Sequence, residues 1–151
     1  MAEQSWTPIT LGANYPAPAG PYSPAVRAGD FIYVSGQVPR DPRTGELLGN
    51  TIEEQSRGTL VNLERVLRAA GAELRDVVSV VVYLADENDW AAFNGVYRGV
   101  MQVPYPSRTA VGAGLRGVMV EISAVAYLPL KSTKDQGSTM DEGRAAPTGP
   151  G

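Results

Sequence analysis

Arg108 and Glu121 are the two residues whose types and spacing most strongly indicate chemistry. Arg108 follows a Pro-Tyr-Pro-Ser run at positions 104–107, and Glu121 interrupts a long apolar run at 118–128. Glycines at 112, 114 and 117 separate the two extended segments. This pattern predicts a β-hairpin in which Arg108 faces Glu121 across neighbouring strands. Because a glutamate inside an apolar strand is costly unless it is paired or used, its presence needs an explanation.

Two interpretations of this pair are open. The first is a structural ion pair across the hairpin. The second is a reactive site, in which the arginine fork binds a substrate carboxylate through two parallel hydrogen bonds and the glutamate acts as an acid or base. The hairpin pattern alone does not choose between them.

The residue types that this chain lacks limit the catalytic mechanisms that it can use. The 151-residue chain has no cysteine and no histidine, and its only lysines are Lys131 and Lys134. This excludes thiol nucleophiles, Ser-His-Asp triads and zinc sites built from Cys and His, and it disfavours a Schiff-base lysine. We therefore expect a site without metal or cofactor, in which the catalytic and binding groups are carboxylates, Arg, Tyr, Ser, Asn and backbone amides.

The bulk composition is that of an ordinary globular domain. Hydrophobic residues make up 43% of the chain, charged residues 19%, and the net charge is −3. A net negative charge disfavours nucleic acid as the main partner, since phosphate binding needs a basic surface. No apolar run is long enough to span a membrane, and the first residues resemble no secretory leader. We expect a cytoplasmic protein without nucleic-acid or membrane partners.

The first third of the chain predicts mainly strands and turns. A short strand is expected at 6–11, followed by a Pro- and Gly-rich loop at 13–21. Two apolar segments flank Arg-Ala-Gly-Asp at 27–30, which predicts a hairpin, and 41–46 has the composition of a turn.

Helices are predicted in the middle of the chain. Thr51 and Glu54 form a capping-box pattern, apolar residues then recur at helical spacing, and Gly71 is placed to end the helix. The β-branched run at 77–84 predicts a buried strand. A second helix is expected after Asp86 or Asp89, with one apolar face formed by Trp90, Phe93, Tyr97 and Val100.

This order of elements predicts an α+β fold with two helices on one face of a mostly antiparallel sheet. Residues 1–130 are expected to form one domain, and residues 131–151 a flexible tail, because the segment from 132 on has little apolar content to pack. Val80, Val82 and Val125 are expected on the sheet face away from the helices. An apolar second face predicts that the protein is an oligomer.

Four motifs, taken in order, resemble the RidA family, also called YjgF or L-PSP. They are Gly-Pro-Tyr-Ser-Pro-Ala-Val at 20–26, Val-Ser-Gly-Gln-Val-Pro at 34–39, Asn-Gly-Val-Tyr at 94–97, and Pro-Ser-Arg at 106–108 with Val-Glu-Ile at 120–122. The resemblance extends over roughly residues 9–127.

The resemblance implies a chorismate-mutase-like fold and a homotrimer whose sheets line a central barrel, with clefts between subunits. It also implies a cofactor-free deaminase that hydrolyses 2-enamino or 2-imino acids to 2-keto acids and ammonia. Arg108 matches the family's carboxylate-binding arginine and Glu121 its water-handling glutamate. The other residues that match family site positions, here as substrate-binding residues, are Tyr22, Ser35, Gly36 and Asn94. Many relatives have a cysteine where this chain has Ala110.

Other functions remain open from the residues themselves. The same arginine pocket could bind or sense a small carboxylate such as a 2-keto acid without turning it over. Ribonuclease activity is disfavoured by the net negative charge and the lack of histidine. The sequence gives no indication for or against a chaperone-like role.

Overall fold

The computed structural model describes residues 3–131, so the predicted tail lies, apart from Lys131, outside the described residues. The described chain forms an α+β fold, as predicted. Two short 3-10 turns precede β4 and α2. The strands and helices in chain order are β1 (Thr7–Ile9), β2 (Ala25–Ala28), β3 (Phe31–Gln37), α1 (Ile52–Ala69), β4 (Val77–Leu84), α2 (Trp90–Val100), β5 (Ser107–Gly112) and β6 (Val120–Tyr127). Within this part of the chain, no helix is both long enough and apolar enough to cross a membrane.

The six strands form one mixed sheet in the order β1-β2-β3-β6-β4-β5. All neighbouring pairs are antiparallel except β4 and β5, which are parallel. The β2–β3 hairpin predicted around residues 27–30 is present, and Gly29 takes the left-handed conformation its turn requires, with φ +59°.

The predicted hairpin between the Arg108 and Glu121 segments is wrong. The strand with Arg108, β5, pairs only with β4, whereas the strand with Glu121, β6, lies between β3 and β4. The reason is the preceding helix: β4, α2 and β5 form a strand-helix-strand crossover, which places β5 parallel to β4 at the sheet edge. After β5 the chain crosses to the other side of β4, where β6 pairs with both β4 and β3.

Helix α1 begins as its sequence predicts. The side-chain oxygen of Thr51 accepts a hydrogen bond from the backbone N–H of Glu54 at 3.2 Å. The reciprocal half of the capping box differs, since the Glu54 carboxylate accepts from the N–H of Asn50 instead of that of Thr51. At the other end Gly71 has φ +83°, the left-handed conformation typical of a residue that ends a helix.

Both helices cover one face of the sheet. α1 packs on β3, β6 and α2, and its inward side chains join those of the sheet in a continuous apolar core. Val80 and Val82 are buried in this core, so their predicted position on the opposite face is wrong, whereas Val125 does lie on that face. Trp90 is also misassigned, because it is 52% exposed and contributes nothing to the apolar face of α2.

The opposite face of the sheet, called here the open face, carries large apolar side chains. Phe31, Tyr33 and Tyr127 are 39%, 48% and 45% exposed, and the rings of Phe31 and Tyr127 are in contact at 5.3 Å. Contiguous exposed aromatic area of this kind is typical of a protein interface.

Candidate active site

Arg108 is held on the helix-covered face at the edge of the sheet. It lies in register with the buried Val80 of β4, so its side chain projects towards α2. Its guanidinium carbon is 4.8 Å from the ring centre of Tyr97 and 5.7 Å from that of Phe93, distances at which a cation is attracted to an aromatic face. These rings restrict the position of the guanidinium group.

A cavity of about 210 Å³ opens beside this arginine, lined by Asn94, Tyr97, Arg98, Tyr105, Pro106 and Arg108. We call Asn94, Tyr97, Tyr105 and Arg108 the arginine half-site. Two polar atoms of this half-site, Asn94 Oδ1 and the Tyr97 hydroxyl, are buried and have no hydrogen-bond partner among residues 3–131. Since a buried polar atom without a partner is costly, both are poised to bond a ligand that enters the cavity.

The Tyr97 hydroxyl is protonated, and is therefore a hydrogen-bond donor, over the whole physiological pH range. Burial raises the pKa of its phenol above the ordinary value of 10.0, and the neighbouring Arg108 guanidinium opposes this effect only in part. The hydroxyl therefore stays protonated at neutral pH and can donate to a carboxylate held by Arg108.

Glu121 lies on the other face of the sheet, above Gly36. It pairs with Tyr83 of β4 and is half-buried on the open face. A methyl group added at Gly36 would lie 2.1 Å from Glu121 Oε1 and 2.9 Å from its carboxyl carbon. Only glycine at position 36 leaves room for this carboxylate, because real side-chain carbons never approach so closely.

Tyr22 and Ser35 lie next to Gly36, since Ser35 precedes it on β3 and Tyr22 lines a cavity together with it. Tyr22 is 55% exposed and lines an open depression of about 600 Å³ that also includes Ser35 and Tyr33. The Ser35 hydroxyl donates to the carbonyl of Ser23 at 2.6 Å, and its backbone N–H donates to the carbonyl of Pro24. Its hydrogen-bond donors are thus used to fix β3 to the segment that carries Tyr22. We call Tyr22, Ser35, Gly36 and Glu121 the glutamate half-site.

The two half-sites are far apart within one chain. Arg108 is in register with Val80, and Glu121 with Tyr83, three residues further along β4. Two strand spacings and three residue rises place the two Cα atoms roughly 14 Å apart, and the alternation of side chains places them on opposite faces. The structural ion pair considered from the sequence is therefore absent from the described residues.

The sequence pattern placed Tyr97 only on the apolar face of α2, and no residue spacing indicated that Tyr105 lines the site. The structure places both beside Arg108. A signal for Tyr97 was present, because Asn94 and Tyr97 are three residues apart and so share one helix face. Within residues 3–131, no group of three or more acidic side chains is arranged to hold a metal ion.

Comparison with known proteins agrees with this architecture. Residues 12–128 match the family described as endoribonuclease L-PSP. The chain is 45% identical to a RutC family protein of Pyrococcus horikoshii over 121 residues, which is 79% of this chain and 96% of that protein. It is 42% identical to the goat protein named 2-iminobutanoate/2-iminopropanoate deaminase over 120 residues, 78% of this chain and 88% of the goat protein.

Solved structures show the same fold. RidA from the Antarctic bacterium Psychrobacter superposes with a TM-score of 0.73 at 37% identity, covering 83% of this chain and all of that one. E. coli TdcF, solved with bound serine, gives a TM-score of 0.72 at 33% identity, with 80% of this chain and 98% of TdcF covered. By family model, sequence identity and fold, the chain belongs to the RidA/YjgF/L-PSP family.

Proposed function

We propose that this protein is a cofactor-free deaminase that hydrolyses reactive 2-enamino and 2-imino acids to 2-keto acids and ammonia. The observation that carries the proposal is the pair of incomplete half-sites, each with one of the two groups that the reaction needs. The name of the goat relative, a 2-iminobutanoate/2-iminopropanoate deaminase, supports the same reaction class.

The half-sites are proposed to meet between subunits of a homotrimer. No substrate of a few carbon atoms can touch both Arg108 and Glu121 of one chain, since they lie about 14 Å apart on opposite faces. The exposed aromatic residues of the open face, Phe31, Tyr33 and Tyr127, supply apolar area for the association. A head-to-tail contact would place the arginine edge of one copy against the glutamate half-site of the next.

Arg108 would hold the substrate carboxylate with its fork, and the Tyr97 hydroxyl would donate to the same carboxylate. Asn94 Oδ1 would accept from an N–H of the substrate nitrogen. This arrangement fixes the imine carbon relative to the attacking water. The rings of Phe93 and Tyr97 keep the guanidinium in place, so binding requires little loss of side-chain freedom.

Glu121 would supply the proton transfers. The enamine first tautomerises to the imine, which takes up a proton from solution. The Glu121 carboxylate then takes a proton from water as the water oxygen adds to the C=N carbon of this protonated imine. The resulting carbinolamine carries the hydroxyl on the former imine carbon. Proton return to nitrogen then releases ammonia, the hydroxyl proton is lost, and the 2-keto acid remains.

Subunit mixing tests the shared site. Arg108→Ala and Glu121→Gln proteins, each inactive alone, are unfolded together in equal amounts and refolded, and hydrolysis of 2-iminobutyrate is measured. If each site takes its arginine from one subunit and its glutamate from the next, about a quarter of the sites regain both residues by chance in a head-to-tail ring. Activity should therefore return to about a quarter of a wild-type sample treated identically.

Two results would contradict the proposal. Activity that stays at the level of the separate variants, although the mixture assembles normally, would place both residues in one subunit's site. A wild-type protein that binds 2-oxobutyrate but hydrolyses no imine would instead be a carboxylate-binding protein.

A further inference from the structure

A second cavity adjoins the glutamate half-site. It has a volume of about 410 Å³ and lies between the proline-rich loop before β2, the end of β3 with its following turn, and helix α1. Tyr22 and Gly36 of the glutamate half-site also line this cavity, whereas Glu121 itself does not. The cavity therefore adjoins the glutamate half-site through these two shared residues.

The cavity carries an excess of positive charge. Its lining includes Arg40, Arg43 and Arg65 but only one acidic residue, Asp41. One oxygen of the Asp41 carboxylate, Oδ1, accepts the backbone N–H groups of Arg43 and Thr44 at 2.8 and 3.1 Å. These two hydrogen bonds are the main reason that the pKa of Asp41 lies below its ordinary value.

Arg40 and Arg65 are half-buried and form no ion pair among the described residues, although the Asp41 carboxylate attracts Arg65 from beyond 4.0 Å. Across residues 3–131, no carboxylate lies within 4.0 Å of either guanidinium, whereas two more exposed arginines, Arg68 and Arg75, do have glutamate partners. Placing a charge in a partly buried position without a partner is unfavourable unless a ligand supplies the opposite charge.

Asn62 fixes this region. It is only 5% exposed, its amide nitrogen donates to the carbonyls of Val38 and Arg40 at 2.8 Å each, and its amide oxygen accepts from Arg65 Nη1. Arg40 is held separately, since its Nη1 donates to the carbonyl of Gly45 at 3.1 Å. Each guanidinium is thus oriented through one nitrogen and retains further N–H donors for a ligand.

We propose that this cavity binds a second carboxylate at the far end of the substrate, so that the preferred substrates are the 2-imino derivatives of dicarboxylic amino acids. This inference rests on the proposed function and specifies its substrate class. The α-carboxylate is held by the arginine half-site of the neighbouring subunit, and the side-chain carboxylate by Arg40 and Arg65. An imino acid of roughly ten non-hydrogen atoms fits a cavity of this size.

Kinetics with paired substrates test the inference. 2-Iminoglutarate and 2-iminobutyrate are generated in the assay by amino-acid oxidases, and kcat/KM is measured for wild type, Arg40→Gln and Arg65→Gln. Wild type should prefer 2-iminoglutarate, and each variant should lose about tenfold or more with that substrate, as expected for a charge-assisted hydrogen bond. With 2-iminobutyrate all three proteins should agree within about twofold, because that substrate leaves the cavity empty.

Arg57→Gln is the matched control, because it removes an exposed arginine of the same helix that does not line this cavity. It should change neither rate. Melting temperatures of all variants show whether each is folded at the assay temperature. Equal kcat/KM for the two substrates in wild type, or a loss in the Arg40 and Arg65 variants that is the same for both substrates, would overturn the inference while leaving the proposed function intact.

A binding experiment tests the cavity independently of turnover. Calorimetric titration should show that 2-oxoglutarate binds more tightly than 2-oxobutyrate and that Arg40→Gln removes the difference. If inorganic phosphate binds more tightly than 2-oxoglutarate and loses affinity in the same variant, the cavity is a phosphate site and the dicarboxylate assignment is wrong. Failure of wild type to hydrolyse either imine would reject the proposed function, and this titration would still test the cavity.

Discussion

The carboxylate of Glu121 lies over the backbone of Gly36, in the space that any side chain at position 36 would occupy. Two residues 85 positions apart in the sequence are thereby linked, one on β3 and the other on the neighbouring strand β6. The contact fixes the direction in which the Glu121 carboxylate points. A single methyl group added at position 36 would therefore move the proposed base.

Gly36→Ala should therefore displace the Glu121 carboxylate. We expect imine hydrolysis to fall by more than tenfold, whereas the free energy of unfolding should change by less than about 1 kcal/mol, because Gly36 is exposed and the displaced group is the end of a flexible side chain. Enzyme assays and thermal unfolding on one preparation measure both effects. Gly95→Ala is the control: it meets no atom within 4 Å in helix α2 and should preserve stability or raise it slightly. Normal activity of Gly36→Ala would show that the orientation of Glu121 is not critical.

Arg108→Ala should remove activity while leaving the fold largely intact. The lost bidentate contact is worth about 1.5–3 kcal/mol, or roughly 10- to 150-fold in kcat/KM, and misorientation adds to it. Stability should change little, since within the described residues Arg108 has aromatic contacts but no ion pair. Arg108→Lys should restore little activity because a point charge does not reproduce the fork. A large drop in melting temperature, with activity lost only through unfolding, would instead assign Arg108 a structural role.

Glu121→Gln tests the proton-transfer step. The amide has nearly the same shape and fits the space above Gly36, but it cannot take a proton from water at neutral pH. Turnover of 2-iminobutyrate should fall by about 10²- to 10⁴-fold, the usual contribution of a positioned acid or base. Binding of 2-oxobutyrate, measured by calorimetry, should persist because Arg108 is intact. A variant with near-normal turnover would reject Glu121 as the base.

Tyr97→Phe should weaken ligand binding without destabilising the free protein. The hydroxyl it removes is buried and unpaired, so its loss leaves stability unchanged or slightly higher. If this hydroxyl bonds the substrate carboxylate, Kd for 2-oxobutyrate should rise about three- to tenfold. Tyr105→Phe, which changes a tyrosine that is 48% exposed beside the same cavity, is the control and should bind nearly as wild type. Unchanged affinity in Tyr97→Phe would exclude the hydroxyl from ligand binding.

The raised pKa of Tyr97 also predicts a pH effect on stability. Above pH 10 the tyrosine ionises in the unfolded chain while the folded protein keeps it protonated, so the unfolded state binds fewer protons. The stability present below pH 10 is therefore lost as the pH rises through the folded-state pKa. Denaturant unfolding at pH 9 and pH 11 should show a larger decrease for wild type than for Tyr97→Phe. Equal decreases would mean that Tyr97 ionises as easily in the folded protein as in the unfolded chain.

The types and order of most elements, and the family to which the chain belongs, followed from the sequence alone. The cap at Thr51 and the hairpin around Gly29 depend on contacts within a few residues, and the structure confirms them. The strand at 77–84 is also present, but only one of its faces is buried and Val78 is 43% exposed. The family was recognisable because its motifs occur in order along the chain, and recognition does not require knowing how distant strands pair. Residue types also limited the chemistry before any geometry was known, since the chain has no histidine or cysteine.

Only the tertiary structure decided where Arg108 and Glu121 lie. The two glycine-separated strands suit a local hairpin, yet β5 pairs in parallel with β4 and β6 lies on the far side of β4. Strand pairing is chosen by burial over the whole sheet: α2 must cover its apolar face, and its crossover places β5 at the edge. That choice, together with the two-residue alternation of side chains, puts the arginine and the glutamate on opposite faces, because one residue of register reverses the face to which a side chain points.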